Sequence, residues 1–329
     1  MMPWHLKTKA LLAKSRQPSL LVTVNFVARS IQSILMPFSI ISVMLRTLQY
    51  GFYLASASVL AVGACLYAFQ LNIIYPSNLP SGSRTEVALP SHFDMDNFEE
   101  VWLDTADGEK LHCYAMVHRA QNSTRPTVIM YHANAGNMGH RLPIASVLHN
   151  KMSLNVFMLS YRGYGKSTGQ AAEKGLKIDA DTAMAYILSH PQMSKTPIFV
   201  YGQSIGGAVS IYVTAKNQSK VAGLILENTF LSIASLIPSV MPIARPIARF
   251  CHQKWASDEL IDTIETPILF LSGLQDEVVP AGQMKALHDA ATRSRLRVWK
   301  DFQEGTHNDT VMQSGYFEAV FEFINKVAR

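Results

Sequence analysis

Apolar and polar positions follow one pattern near the N-terminus and a different one over the rest of the chain. Residues 52–71, FYLASASVLAVGACLYAFQL, form a run of twenty residues without a charge. At about 1.5 Å per residue, a helix of this length crosses the roughly 30 Å hydrocarbon core of a bilayer. A buried helix of a globular domain would normally carry a polar stripe, which this run lacks. The pattern therefore predicts a transmembrane helix over residues 52–71.

The segments that flank this run are shorter or more polar. Residues 31–45 are also apolar, but they number only fifteen and contain Pro37. They favour an interfacial segment, with a second span as the alternative. We therefore assign residues 1–51 to a basic, apolar, membrane-associated segment. Residues 72–92 contain the turn-rich stretch YPSNLPSGSR and are predicted to form a linker.

From residue 93 onward, short apolar runs alternate with helix-like segments. Two strand-like runs flank Asp107 and Gly108, a pair typical of a turn between strands. The later runs are continuous and rich in β-forming residues: TVIMY, NVFMLSY, PIFVYG, VAGLILE, PILFLSG and LRVWKDF. Helix-like segments such as EKGLKIDADTAMAYILSH separate them. This alternation predicts an α/β domain over residues 93–329, with a mostly parallel central sheet and helices on both faces.

The distribution of charge argues against a nucleic-acid partner. The formal net charge is +5, but seven of the 29 basic residues precede Glu86, the first acidic residue. The other 22 basic residues are matched by 24 acidic ones, so the predicted domain has no basic excess. The three cysteines and the histidines show no zinc-type spacing. The sequence predicts no metal and no other cofactor.

The stretch VYGQSIGGAVSIY places a serine between glycines directly after an apolar run. Gly202, Ser204 and Gly206 form the pattern G-x-S-x-G, with a strand-like run before it and a helix-like run after it. This is the context of a nucleophile elbow, a sharp strand-to-helix turn that exposes the serine at a helix N-terminus. We therefore expect Ser204 to be a catalytic nucleophile. The alternative is a tight turn that contains a serine by chance.

A serine nucleophile needs a base, and the base needs an acid to orient it. In this fold the three residues occur in the order serine, acid, histidine. Asp276 follows the run PILFLSG, and His307 follows the run LRVWKDF, so both would open onto the same sheet edge as Ser204. We expect Asp276 and His307 to complete a catalytic triad, with Glu277 as the alternative acid.

Acyl transfer also needs hydrogen-bond donors for the developing oxyanion. The backbone N–H of Ile205, directly after the nucleophile, is one expected donor. The loop HANAGNMGH, which follows TVIMY, is expected to supply the other. We favour the N–H of Asn134, with Ala133 as the alternative. His132, at the start of this loop, is interpreted as an internal hydrogen-bonding anchor rather than a metal ligand.

Several of these stretches together resemble a known family. The motifs HANAGNMGHRLP, SYRGYGKSTG, EKGLKIDADTA, YGQSIGGAV, LENTF, SGLQDEVVP and EGTHND are similar to those of the membrane-anchored bud-emergence group. This group belongs to the α/β-hydrolase superfamily and includes α/β-hydrolase domain-containing protein 13. The resemblance covers roughly residues 93–329. It implies the α/β-hydrolase fold and a serine hydrolase in which Ser204, Asp276 and His307 form the triad.

Residues 231–266 lie where an α/β hydrolase can insert a cap. The first part, LSIASLIPSVMPIARPIARF, is apolar and contains three prolines. It predicts either a short cap packed on the core or an apolar rim that faces the membrane and admits acyl chains. We therefore expect an ester or thioester hydrolase that acts on an acyl, lipid-like substrate. The alternatives are a catalytically silent membrane-tethered scaffold and a cytosol-facing protein depalmitoylase.

Basic residues also predict the orientation in the membrane. Six Lys or Arg residues precede residues 52–71, whereas only Arg84 follows closely. The positive-inside rule then places the N-terminus in the cytosol and the domain in the lumen or outside, as a single-pass type II protein. The endoplasmic reticulum and the plasma membrane are the expected sites. Asn122 or Asn217 is then expected to carry a glycan, and Asn308 is not, because it neighbours His307.

Overall fold

A computed structural model describes residues 20–118 and 125–328. Within them, eight strands form a single sheet: β1 (Phe98–Asp104), β2 (Lys110–Met116), β3 (Thr127–Tyr131), β4 (Asn155–Leu159), β5 (Ile198–Gln203), β6 (Val221–Glu227), β7 (Ile268–Gly273) and β8 (Arg297–Phe302). The same residues contain eight α-helices: α1 (Leu20–Ile74), α2 (Leu142–Ser146), α3 (Glu173–Ser189), α4 (Ile205–Lys216), α5 (Ile233–Val240), α6 (Ser257–Ile261), α7 (Ala281–Ala290) and α8 (Tyr316–Val327).

The sheet has the strand order β1-β2-β4-β3-β5-β6-β7-β8. β1 and β2 pair antiparallel around the turn at Gly108, and β2 pairs antiparallel with β4. The six strands from β3 to β8 run parallel to one another. The predicted α/β-hydrolase fold with a mostly parallel sheet is therefore confirmed. All six parallel strands end at one edge of the sheet, so the loops that follow β3, β5, β7 and β8 share that edge.

Apolar side chains cover both faces of the sheet, as continuous buried strands require. Along β3, Ile129 and Tyr131 belong to one core cluster, and Val128 and Met130 belong to the other. Helices α3, α4 and α7 contribute to the first cluster, and α2 and α8 contribute to the second. The central strands are thus held between two helical layers, which fixes the ends of β3, β5, β7 and β8 as a rigid platform.

Helix α1 is one continuous helix from Leu20 to Ile74, with Pro37 inside it. Residues 31–45 and 52–71, which the sequence pattern separates, both lie in this helix. Thr23–Ile74 is the one stretch of the described chain that is long and apolar enough to cross a membrane. The boundaries of the membrane-associated segment and of the span within α1 stay predictions, because the helix itself does not mark where a bilayer would begin and end.

One compact unit of the structure begins before residue 93, the predicted start of the α/β domain. The chain divides into the units Met1–Cys65 and Leu66–Arg329. The last residues of α1 and the expected linker belong to the second unit, because Tyr75, Ser83 and Val87 are buried in it. Residues 72–92 are therefore packed against the domain rather than acting as a free tether.

The cap occupies the predicted stretch 231–266, between β6 and β7. It consists of α5, a 3-10 segment over Pro242–Phe250, and α6. Ile233, Ala244 and Ala248 are buried, so the inner side of the cap packs on the domain. The cap is a short insertion, as expected.

Candidate active site

Ser204 lies at the turn between β5 and α4 in a strained backbone conformation. Its φ is 56° and its ψ is −119°, a region that residues other than glycine rarely adopt. The flanking glycines permit the turn. A methyl group on Gly202 would lie 2.1 Å from the carbonyl oxygen of Gly206. A methyl group on Gly206 would lie 2.1 Å from the carbonyl oxygen of Tyr131. The backbone N–H of Ser204 donates to the carbonyl of Glu227 (2.9 Å), which ties the turn to β6.

Asp276 and His307 meet on the loops that follow β7 and β8. His307 Nδ1 lies 2.8 Å from Asp276 Oδ2, and both side chains are buried. The backbone N–H groups of Val278 and Val279 donate to Asp276 Oδ1 at 2.8 and 2.7 Å. Asp276 Oδ1 therefore has two backbone donors, and Oδ2 accepts the hydrogen bond that Nδ1 of His307 donates. Nε2 of His307 is then the nitrogen that can accept a proton.

Glu277, the alternative acid, has a different position. Its Oε2 accepts a hydrogen bond from the backbone N–H of His307 at 3.2 Å. It therefore holds the main chain of His307 rather than the imidazole. The geometry favours Asp276 as the orienting acid.

The residue before the serine contacts the histidine loop directly. Gln203 Nε2 donates to the carbonyl oxygen of His307 at 2.9 Å and lies 3.3 Å from Glu227 Oε1. The elbow and the histidine loop are therefore tied together by a buried amide. Ser204 is 6% exposed and His307 is 7% exposed, so the site opens to the outside only narrowly.

Two residues at the end of β6 support the site, and the sequence analysis did not assign them a role. The buried Glu227 carboxyl accepts from the hydroxyl of Tyr316 (2.6 Å) and from that of Tyr201. Burial raises its pKa above the ordinary value, although these hydroxyl donors oppose the shift. Glu227 thus lies in a network beneath the elbow, and its carbonyl also receives the N–H of Ser204.

Asn228 bridges the loops that carry the acid and the histidine. Its Nδ2 donates to the carbonyl of Thr306 (3.1 Å) and to Thr310 Oγ1 (3.0 Å), and its Oδ1 accepts from the N–H of Gly273 (2.8 Å). Its φ is 45°, a conformation that Asn tolerates better than most residues. The motif LENTF contains both Glu227 and Asn228. A polar pair at the end of an otherwise apolar strand is the sequence feature that could have indicated a role for these two residues in the site.

The expected oxyanion donors lie on two adjacent elements. Ile205 is the first residue of α4, where backbone N–H groups have no partner within the helix. Ala133 and Asn134 lie in the loop after β3, and their N–H groups have no backbone acceptor in residues 20–118 and 125–328. Gly206 allows this loop to approach the start of α4, because its missing side chain leaves room for the Tyr131 carbonyl. The two expected sets of donors therefore lie on neighbouring elements, and no described backbone carbonyl accepts from the N–H of Ala133 or Asn134.

Side-chain contacts hold the loop after β3 in place. Asn134 Nδ2 donates to the carbonyl of Ile74, and its Oδ1 accepts from the hydroxyl of Tyr164 at 2.7 Å. His132 Nδ1 donates to the carbonyl of Ala133 at 2.7 Å. Burial lowers the pKa of His132 to about 3, so its ring is neutral at physiological pH. His132 has the geometry of an anchor, and no group of three His, Cys, Asp or Glu side chains in the described residues could hold a metal ion.

The chain is similar to known proteins over most of its length. Residues 122–263 match a family model described as "Serine aminopeptidase, S33". The chain is 46% identical to Protein bem46 of Schizosaccharomyces pombe over 288 residues, which cover 87% of this chain and 96% of that protein. It is 38% identical over 263 residues to an uncharacterized membrane protein of Saccharomyces cerevisiae, with coverage of 79% and 90%. A solved esterase from Pyrococcus furiosus shares the fold, with a TM-score of 0.62 and 17% identity over 75% of this chain and 99% of that chain.

Proposed function

Because the chain belongs to the bud-emergence group of the α/β-hydrolase superfamily, we propose that it is a membrane-anchored serine hydrolase. Its substrate is an ester or thioester with an acyl, lipid-like group. One observation carries the proposal. Ser204 has the strained backbone of a nucleophile elbow, and the Asp276–His307 pair stands on loops at the same sheet edge. A turn that contained a serine by chance would not need this strain or this partner pair.

The mechanism follows from the polarity of these groups. His307 Nε2 accepts the hydroxyl proton of Ser204 as Oγ forms a bond to the acyl carbon. The resulting oxyanion is stabilised by the N–H of Ile205 and by the N–H of Asn134 or Ala133. The carbonyl re-forms, the bond to the leaving alcohol or thiol breaks, and His307 returns the proton to that group. Water then releases the acyl chain from Ser204 by the same steps, and Asp276 stabilises the imidazolium each time.

The surroundings of the site favour an apolar acyl group over a peptide. The cap beside the sheet edge is built from α5 and the segment Pro242–Phe250, which are mostly apolar. Helix α1 would anchor the enzyme as a single-pass type II protein in the endoplasmic reticulum or the plasma membrane. The site would then lie close to membrane lipids.

Labelling with a fluorophosphonate probe tests the proposal. The wild type should be labelled and should hydrolyse p-nitrophenyl esters, and Ser204→Ala should lose both properties while remaining folded. Ser219→Ala is the matched control, because Ser219 is exposed beyond the end of α4. Folded wild-type protein that neither labels nor hydrolyses any ester of a chain-length series would instead favour the catalytically silent scaffold.

A further inference from the structure

The part of the cap that precedes α6 contains basic residues but no acidic ones. Residues 228–257 contain no Asp or Glu, whereas Arg245, Arg249 and Lys254 lie within them. The domain as a whole has slightly more acidic than basic residues. The excess of positive charge is therefore limited to the part of the cap before α6, because Asp258, Glu259, Asp262 and Glu265 follow it.

The outer side of the cap is also apolar. Ile243 is 86% exposed, and Val240 and Phe250 are each 56% exposed. The inner residues Ala244 and Ala248 are buried, so the apolar outer side is not needed to hold the cap on the domain. Three large apolar side chains exposed within eleven residues are typical of a segment that contacts a partner.

No acidic residue that the structure describes pairs with the guanidinium groups on this side. Neither Arg245 nor Arg249 forms an ion pair with any residue that the structure describes. Arg249 instead lies over the ring of Phe250, with 4.9 Å between Cζ and the ring centroid. Their hydrogen-bond donors are free for an external anion, and guanidinium pairs well with phosphate.

The cap is joined to the end of helix α1. The backbone N–H of His252 donates to Gln70 Oε1 at 2.9 Å, and the rings of Tyr67 and His252 are 5.5 Å apart. Tyr75 donates to Gln253 Oε1 at 3.0 Å and accepts from Trp255 Nε1 at 2.9 Å. These contacts fix the cap beside the last turns of the apolar helix.

This joint sets the depth of the cap relative to a bilayer. The predicted span ends at residue 71, so Tyr67 lies four residues, or about 6 Å along the helix, inside that end. His252 is at the level of Tyr67, because their rings touch. Phe250 and Arg249 lie two and three residues before His252 in the chain. With the span ending at residue 71, as the sequence predicts, Arg249 and Phe250 would lie near the boundary between headgroups and acyl chains, where amphipathic segments with basic residues bind.

We propose that Val240, Ile243, Arg245, Arg249 and Phe250 form a cap face that binds the phospholipid headgroup layer of the bilayer that holds α1. The apolar side chains enter the acyl boundary, and the guanidiniums contact lipid phosphates. The cap face brings the site opening to the membrane surface, from which an acyl substrate would enter. This inference rests on the membrane anchoring in the proposed function, and it adds the surface and the ligand chemistry.

Fluorescence quenching tests the contact without reference to catalysis. The full chain carries Cys65→Ser and Cys251→Ser, and the buried Cys113 is kept. Ile243→Cys is labelled with a nitrobenzoxadiazole probe in phosphatidylcholine nanodiscs, with and without phosphatidylserine. Phe321→Cys on α8, also an exposed apolar position, is the matched control. Lipids spin-labelled near the headgroup should quench the probe at position 243 several-fold more than at position 321. Equal quenching at the two positions would overturn the proposal. A probe at position 243 that is shielded from water but is not quenched by the spin-labelled lipids would also overturn it.

Hydrolysis supplies a second arm that separates the two proposals. Arg245→Glu combined with Arg249→Glu should lower hydrolysis of a bilayer-embedded ester, by roughly fivefold for each charge lost near an anionic surface. Hydrolysis of a short water-soluble ester should stay unchanged, because neither arginine belongs to the site. Quenching at position 243 without hydrolysis of either ester would refute the proposed enzyme and leave the cap face intact. Hydrolysis of both esters that is insensitive to the substitutions would refute the cap face alone.

Discussion

Adjacent carboxylates, Asp276 and Glu277, contact different parts of one histidine. Asp276 accepts from the imidazole, and Glu277 accepts from the backbone N–H of His307. Asp276→Asn should lower kcat/KM by about 10³- to 10⁴-fold, because the amide no longer holds the required tautomer or stabilises the imidazolium. Glu277→Gln keeps a hydrogen-bond acceptor for the N–H and should cost far less. Steady-state kinetics of the two variants decide the matter, and a larger loss in Glu277→Gln would reverse the assignment of the acid.

Glu227 gives a prediction about stability rather than rate. Burial raises its pKa, so folding favours the neutral carboxyl. Its stabilising contribution is complete below the unfolded pKa of about 4.3 and is lost as the pH rises through the higher pKa of the folded state. Glu227→Gln, which cannot ionise, should lack this loss. The thermal midpoint of the full chain in detergent, measured from pH 4 upward, should therefore fall for the wild type relative to the variant.

The control for this experiment is Glu318→Gln. Glu318 lies on α8, is exposed and forms no ion pair with a described residue. Its variant should follow the wild type across the pH range. Parallel profiles for Glu227→Gln and the wild type would show that Glu227 does not titrate differently in the folded state.

At the scale of elements, the strands were the most predictable part of the chain. TVIMY and VAGLILE coincide with β3 and β6, because a strand buried on both faces is apolar along its whole length. Helix α1 was less predictable. Residues 31–45 and 52–71 belong to one helix that continues through Pro37. Apolar runs describe where a membrane could lie, but a helix can extend past both ends of such a run.

The candidate site was predictable only where a residue follows a strand in a known order. Ser204, Asp276 and His307 have such positions, and the structure brings the last two together. The role of Asn228 depends on contacts with residues 45 to 82 positions away in the chain. No local pattern encodes such contacts. The packing of residues 72–92 on the domain was missed for the same reason, since a turn-rich composition does not reveal what the turns contact.

The end of β3 packs closely against the start of α4, where Gly206 faces the Tyr131 carbonyl. Gly206→Ala would place a methyl group against the Tyr131 carbonyl and push the two elements apart. The oxyanion donors on the two elements would separate, and the rate should fall by about 10²-fold or more. Overpacking should also lower the free energy of unfolding by about 1–3 kcal/mol. Kinetics and chemical denaturation of the same sample measure both effects.

Gly282→Ala is the matched control, because Gly282 lies in α7 with open space around its Cα. Alanine favours helix there, so this variant should keep full activity and gain up to about 1 kcal/mol in stability. Full activity in Gly206→Ala would show that the β3 loop does not form part of the oxyanion site.

At the scale of the whole molecule, the continuity of α1 bears on topology. A second span over residues 31–45 would require the chain to reverse direction before residue 52, yet residues 20–74 are all helical. A helix of 55 residues has no turn at which to re-cross the membrane. This favours a single crossing. With six basic residues before residues 52–71, we expect a cytosolic N-terminus and a lumenal or external catalytic domain.

Glycosylation and protease protection test this orientation together. Of the three Asn-x-Ser/Thr sites, Asn217 uses its amide nitrogen in a bond to the Val213 carbonyl (2.8 Å), and Asn308 neighbours His307. Asn122 lies outside the described residues and is the expected glycan site of a lumenal domain. Glycosidase should therefore increase the gel mobility of the microsomal protein, and Asn122→Gln should abolish this shift while Asn217→Gln should not.

An unused site gives no mobility shift on either side of the membrane, so protease protection in sealed microsomes decides the orientation. A protected catalytic domain is the expected result, because an external protease cannot reach the lumen. Digestion of that domain in intact vesicles would place the site in the cytosol and make protein depalmitoylation the function to test next.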